Sequence, residues 1–193
     1  MENMNKIQVS ARKGGLGTTT VACAIALTYS RNHPTLKVGL VDGSRFNDCL
    51  SVMGLNPQSP SIDGVTIIGK ETDGYDVLVI DAGVTDRLDP DAIIVNVVRN
   101  EYLPLRAETF ARLKSDYTVA LIHEDNALTA KDVANVLGAK IMNFPISSQM
   151  SRAIDAGLFT SRFEQLGNEW ATELVESLAF RNGHELLSVK GGE

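Results

Sequence analysis

The run DVLVID, from Asp76 to Asp81, constrains the fold of this 193-residue chain more than any other segment. Its four apolar residues leave no polar face, so neighbouring elements must cover it on both sides. Such a strand is typical of the centre of a parallel sheet. Similar apolar runs follow at 92–98 and 117–122, with helix-like sequence between them. The pattern predicts an α/β protein with a mostly parallel central sheet and helices on both faces.

The rest of the chain continues this alternation. Further strands are predicted at 7–10, 37–42, 65–68 and 140–142, and helices at 18–29, 103–113 and 131–137. Helical periodicity also runs through 147–180, and it predicts that Trp170 lies in the core or in a dimer contact. We expect residues 1–187 to form a single domain and residues 188–193 to form a flexible tail.

Composition narrows the class of protein. The formal net charge of −6 argues against a strongly basic nucleic-acid coat, although it leaves a local basic patch open. No stretch has the character of a secretory signal or a membrane span. Cys23 and Cys49 lack metal-ligand spacing, so we expect two reduced, buried thiols in a cytoplasmic protein.

A glycine-rich segment joins the first predicted strand to the first predicted helix, which is the layout of a phosphate-binding loop. Its glycines let the backbone turn tightly and direct N–H groups at phosphate oxygens, and the helix adds the positive end of its dipole. The predicted nucleotide-binding residues are Lys13, Gly14, Gly15, Leu16, Gly17, Thr18, Thr19 and Thr20.

Two carboxylates stand at the ends of other predicted strands, at Asp42 and Asp81. Because parallel strands end at the same edge of the sheet, both should lie near the loop. The Thr19 hydroxyl can ligate Mg²⁺ between the β- and γ-phosphates. Thr19, Asp42 and Asp81 are therefore the predicted metal-binding residues, and Asp81 has the position of a Walker B aspartate.

The segment RKGGLGTTT, from Arg12 to Thr20, resembles the deviant Walker A loop of the ParA/MinD family of ATPases. The resemblance extends over about residues 5–180 and includes both strand-end carboxylates. It implies that Lys13 reaches across a nucleotide-sandwich homodimer, and that Lys13 and Asp42 have catalytic roles. It also implies that Pro145 lies near the base, with ATP and Mg²⁺ as cofactors; the preference for ATP over GTP rests on the resemblance alone.

Two departures from the family pattern oppose hydrolysis. Thr18 replaces the usual P-loop lysine, and Ser44 replaces the second acid of the family's D-x-D motif. A charge-assisted hydrogen bond contributes roughly 1.5–3 kcal/mol against roughly 0.5–1.5 kcal/mol for a neutral one. Losing the lysine should weaken nucleotide binding and transition-state stabilisation together. The loop also resembles that of the CpaE/TadZ proteins, some of which look like nucleotide-bound scaffolds.

Basic residues near the C-terminus leave two interpretations open. Family members hold nonspecific DNA in this region, and Arg152 and Arg162 are the candidates here. Nearby glutamates make a mixed-charge, solvated helix an equal alternative. His123 follows a predicted strand where relatives often carry an asparagine near the base.

Two functions follow from the resemblance. The first is a ParA-like partition protein of a plasmid, phage or chromosome: an ATP-dependent dimer that binds nonspecific DNA, responds to a ParB-like or cargo adaptor protein, and is nucleoid-associated. The second is a positioning scaffold with little or no ATPase activity. DNA binding that appears only with ATP would favour the first, and ATP-dependent dimerisation without phosphate release would favour the second.

Overall fold

The structure, a computed structural model, describes residues 5–44, 46–110, 113–166 and 169–181. The strands found in these residues are β1 (Asn5–Ala11), β2 (Val38–Asp42), β3 (Ser61–Ile62), β4 (Val65–Ile68), β5 (Val77–Val84), β6 (Ile93–Arg99), β7 (Tyr117–His123) and β8 (Met142–Ile146). They form one sheet in the order β3-β4-β2-β5-β1-β6-β7-β8. All neighbouring strands are parallel except the hairpin pair β3 and β4.

Helices cover both faces of this sheet. Within the described residues they are α1 (Thr18–Asn32), α2 (Asp48–Met53), α3 (Tyr102–Phe110), α4 (Ala130–Leu137), α5 (Ser148–Asp155), α6 (Phe159–Arg162) and α7 (Glu169–Arg181), with a 3₁₀ turn at Phe163–Leu166. The larger apolar core packs one face of the sheet against α1 and α7, and a smaller one packs the other face against α3 and α4. The predicted fold class is therefore confirmed.

Strand β5 occupies the central position that its apolar sequence predicts. Val77, Leu78 and Val79 are fully buried, between β2 on one side and β1 on the other. The pairing of β2 with β5 sets Asp42 directly opposite Asp81. The carboxyl ends of β1, β2 and β5 thus place a loop and two acids at one edge of the sheet.

The C-terminal half departs from the predicted boundaries. The strand predicted at 140–142 is wrong in its bounds, because β8 begins at Met142 and runs through Pro145 to Ile146. A proline cannot donate to a strand ladder, but β8 is an edge strand, where proline is tolerated. The helical stretch 147–180 is divided among three helices and the 3₁₀ turn. Short elements α2 and β3 escaped prediction.

Trp170 lies in the core, which is one of the two environments predicted for it, the other being a dimer contact. It is 5% exposed, and its ring stacks on Phe144 with centroids 4.1 Å apart. The predicted tail at 188–193 lies outside the described residues. Among the residues that the structure describes, no helix is long and apolar enough to cross a membrane.

Candidate phosphate and metal site

The predicted phosphate loop lies between the end of β1 at Ala11 and the start of α1 at Thr18. Lys13, Gly14 and Gly15 are exposed, whereas Leu16 is buried and fixes the loop to the core. Gly17 has a φ of 92°, and a Cβ there would lie 2.5 Å from Leu121 Cδ2. The left-handed φ favours glycine at this position, and a Cβ would also displace the end of the Leu121 side chain.

The amino terminus of α1 opens into the same loop. Gly17 precedes the helix and supplies no side-chain cap, and the first turn carries no acidic residue. The first N–H groups of a helix have no partner within the helix, and they carry the positive end of its dipole. A phosphate held by the loop can accept hydrogen bonds from these groups.

Asp81 is joined to the first turn of α1 by a short hydrogen bond. Thr19 Oγ1 donates to Asp81 Oδ2 at 2.6 Å, and the Gly83 N–H donates to Asp81 Oδ1 at 3.2 Å. Burial raises the pKa of Asp81, and the charge of Asp42 acts in the same direction, while the hydroxyls of Thr19 and Thr18 and the Gly83 amide oppose the rise. The structure thus brings together the predicted metal-binding threonine and aspartate.

Asp42 completes a pair of buried carboxylates. It is 7% exposed and Asp81 is 1% exposed. The N–H groups of Ser44 and Cys49 donate to Asp42 Oδ1 and Oδ2, each at 2.9 Å. No lysine or arginine pairs with either acid among the described residues. Two buried, adjacent carboxylates beside a threonine hydroxyl fit a hard divalent cation such as Mg²⁺.

Cys49 is a member of this cluster that the sequence did not indicate. Ligand atoms of Asp42, Cys49 and Asp81 all lie within 4.8 Å of one another, and Cys49 Sγ is 3.8 Å from Asp81 Oδ2. A hydrogen bond with Cys23 and burial raise the pKa of the Cys49 thiol, so it stays neutral beside the acids. The sequence gives no signal for this position, because the thiol is brought in by the short helix α2.

The two residues that depart from the family pattern carry no charge. The Thr18 side chain therefore offers the loop no positive charge. Ser44 Oγ accepts a hydrogen bond from the Asp48 N–H at 2.9 Å and thereby supports the start of α2. Gly43 lies between Asp42 and Ser44 in the sequence, and a Cβ on Gly43 would collide with the Asp81 carbonyl oxygen.

Besides Arg12, which follows β1, the loop has basic side chains from Lys13 and Arg99. Lys13 is exposed and has no hydrogen-bond or ion-pair partner in the described part of the chain. Arg99, at the end of β6, donates from Nη1 to the Gly15 carbonyl oxygen at 3.2 Å. Sequence reasoning missed Arg99, because 84 residues separate it from Gly15 and it ends an apolar strand.

The remaining predicted residues lie outside this cluster. Pro145 is exposed on β8, which lies three strands from β1, or about 14 Å at the usual strand spacing. His123 ends β7, where its Nδ1 accepts the Asp125 N–H at 3.3 Å. Arg152 and Arg162 are exposed on α5 and at the end of α6.

Comparison of the sequence with protein-family models and with curated proteins finds no match. Solved structures do match. A ParA family ATPase from Chlorobium tepidum TLS is 12% identical with a TM-score of 0.55, covering 93% of this chain and 99% of its own. The septum site-determining protein MinD complexed with Mg-ADP from Pyrococcus horikoshii OT3 is 14% identical with a TM-score of 0.61, covering 97% and 100%. The MinC:MinD cell division protein complex of Aquifex aeolicus is 15% identical with a TM-score of 0.62, covering 98% and 100%. At these identities the likeness establishes the fold, which is that of the ParA/MinD ATPases.

Proposed function

We propose that this chain is a nucleotide-dependent partition or positioning protein that binds Mg²⁺ and ATP at residues 13–20 and turns ATP over slowly or not at all. The observation that carries the proposal is the hydrogen bond from Thr19 to Asp81 beside the buried carboxylate of Asp42. This arrangement puts a hydroxyl and two acids at the mouth of a loop suited to phosphate. The Mg-ADP bound to the similar MinD structure supports the choice of ligand.

Each site residue has a role under this proposal. The loop N–H groups would hold the phosphates, and Thr19, Asp42 and Asp81 would hold Mg²⁺, which neutralises phosphate charge. Lys13 would act on nucleotide bound by a second copy of the chain. Its exposure and its lack of a partner in the described residues agree with a side chain that acts between subunits.

Slow turnover follows from the residues that usually drive hydrolysis. Thr18 brings no ammonium to the phosphates. Ser44 accepts the Asp48 N–H and carries no charge with which to activate water. A site that retains binding groups and lacks these two charges is suited to a switch governed by nucleotide occupancy.

Dimerisation tests the switch. With ATP and Mg²⁺, light scattering coupled to size exclusion should report a dimer for the wild-type protein and a monomer for Lys13→Ala. Lys140→Ala is the matched control, because Lys140 is exposed and precedes β8 at the opposite edge of the sheet. An ATP-dependent dimer of Lys13→Ala equal to that of the control would contradict the role proposed for Lys13.

DNA binding is a second candidate function, favoured by the exposure of Arg152 and Arg162. Nonspecific DNA should then bind only with ATP, more weakly as salt rises, and more weakly still in the Arg152→Ala/Arg162→Ala double variant. If the ATP-bound dimer does not bind DNA even at low salt, positioning through a protein adaptor remains as the function. The MinC:MinD complex is a protein partnership on a similar fold.

A further inference from the structure

The phosphate loop lacks a cation at the position where the family's P-loop lysine would stand. Thr18 begins α1, and its side chain is uncharged. Lys13 lies on the exposed side of the loop. Positive charge beyond that of Mg²⁺ could then reach phosphates bound at residues 13–20 from another element of the same subunit.

Strand β6 places a guanidinium at this loop. β6 pairs with β1, which leads into the loop, and Arg99 is its last residue. Val97 and Val95, two and four residues before Arg99, pack in the core cluster that contains α1. Since side chains alternate along a strand, Arg99 lies on the same face of the sheet as α1.

The neighbours of Arg99 locate its side chain more closely. Arg99 pairs with Leu121 of β7, and the Leu121 side chain packs beside Gly17, with Cδ2 2.5 Å from where a Cβ on Gly17 would lie. Its Nη1 donates to the Gly15 carbonyl oxygen at 3.2 Å. The guanidinium thus contacts one loop glycine and lies beside the residue that packs on the other.

Arg99 has donor capacity that the described residues do not use. Its Nε is buried and has no hydrogen-bond partner among them, and its ion pair with Glu101 is long at 3.5 Å. Buried N–H groups almost always have an acceptor. A buried Nε–H without one beside a phosphate loop therefore points to an acceptor on the bound ligand. The planar guanidinium suits a phosphate oxygen pair.

We propose that Arg99 supplies to the β- and γ-phosphates, from within the same subunit, the positive charge that Thr18 does not. This inference rests on the proposed nucleotide site and identifies which residue compensates for its missing lysine. The alternative role is positional: Arg99 would only hold the loop through Gly15. If Arg99 contacts the phosphates, its removal should weaken ATP binding more than ADP binding, and a lysine at position 18 should reduce the loss. If Arg99 only holds the loop, its removal should weaken both nucleotides equally, and the lysine should not reduce the loss.

Calorimetric titration of Mg·ATP and Mg·ADP separates the two roles. Arg99→Ala should weaken ATP binding about tenfold or more, and ADP binding by less, as expected for the loss of a charge-assisted contact. Arg99→Lys keeps the charge and should recover part of the affinity. Arg87→Ala is the matched control: Arg87 is exposed, and its hydrogen bonds to Gln8 and Thr85 use main-chain atoms.

Restoring the family lysine gives the decisive comparison. In a Thr18→Lys background, Arg99→Ala should weaken ATP binding much less than it does in the wild-type background, because the lysine takes over the contact. The proposal would be overturned if Arg99→Ala bound ATP as tightly as the control variant Arg87→Ala. A loss that is equal for ATP and ADP and is not reduced by Thr18→Lys, which is the positional outcome, would also overturn it.

The same titrations distinguish failure of this inference from failure of the proposed function. If wild-type protein binds ATP and Arg99→Ala binds it equally well, the inference is overturned alone. If wild-type protein binds no nucleotide, the proposed nucleotide site fails and the inference fails with it. Circular dichroism of each variant establishes that it is folded.

Discussion

Thr19 Oγ1 donates a 2.6 Å hydrogen bond to Asp81 Oδ2 and so ties the first turn of α1 to the central strand β5. The two residues are 62 positions apart in the sequence, Thr19 on α1 and Asp81 on β5. The bond aligns a hydroxyl and a carboxylate, both ligands for a hard cation, at the mouth of the phosphate loop.

Replacing Thr19 by valine tests this bond. Valine keeps the β-branched shape and removes the hydroxyl, so it leaves an Asp81 oxygen without this donor. The free energy of unfolding should fall by about 1–3 kcal/mol in urea denaturation, and Mg²⁺-dependent nucleotide binding should weaken. Thr19→Ser keeps the hydroxyl and should retain most of both. A serine variant as weak as the valine variant would show that the hydroxyl is not the important group.

Asp81→Asn should separate stability from binding. Asp81 and Asp42 form a buried pair of like charges, so removing one charge should raise the free energy of unfolding of the ligand-free protein. Burial raises the pKa of Asp81. The stability that protonated Asp81 contributes is therefore fully present below its ordinary pKa of 3.8 and is lost as pH rises through the raised pKa. Denaturation as a function of pH should show a smaller acid-side change in the variant, and titration should show Mg²⁺-dependent binding abolished. A less stable variant that still binds would refute both roles of the charge.

Gly43 should not accept a side chain. A Cβ would collide with the Asp81 carbonyl oxygen, a backbone atom that cannot rotate away, so Gly43→Ala should lower the melting temperature and nucleotide affinity together. Gly69→Ala is the control, since nothing lies within 4 Å of a Cβ at Gly69. Equal melting temperatures for the two variants would contradict the close packing of β2 on β5.

The two cysteines should be unreactive in the folded protein. Cys23 and Cys49 are both fully buried, and a hydrogen bond with Cys23 and burial raise the pKa of the Cys49 thiol. N-ethylmaleimide at pH 8 should label neither cysteine until denaturant is added, as mass spectrometry would report. The raised pKa also means that stability is retained below the ordinary pKa of 9.0 and falls at higher pH, where only the unfolded thiol ionises. Rapid labelling of folded protein would contradict the burial of this pair.

The sheet and the loop could be predicted from the sequence because their signals are local. Four apolar residues before Asp81 identify a central strand, and glycines between a strand and a helix identify the loop. The expectation that Asp42 and Asp81 both lie near the loop followed from the rule that parallel strands end at one edge. These predictions needed neither side-chain packing nor long-range contacts.

What the sequence did not reveal depends on contacts between distant segments. Cys49 enters the cluster on α2, which is too short to show helical periodicity. Arg99 reaches Gly15 only because β6 lies beside β1 in a sheet order that differs from chain order. The bounds of β8 were misjudged because Pro145 argues against a strand unless its edge position is known.

The central claim is that residues 13–20 bind Mg·ATP in spite of Thr18. The most direct measurement is a calorimetric titration of ATP into the purified protein with Mg²⁺ and with EDTA, repeated on Asp81→Ala. We predict micromolar binding of one nucleotide per chain that requires Mg²⁺ and is lost in the variant. Absence of measurable heat at millimolar ATP, or binding that is indifferent to both Mg²⁺ and Asp81, would contradict it.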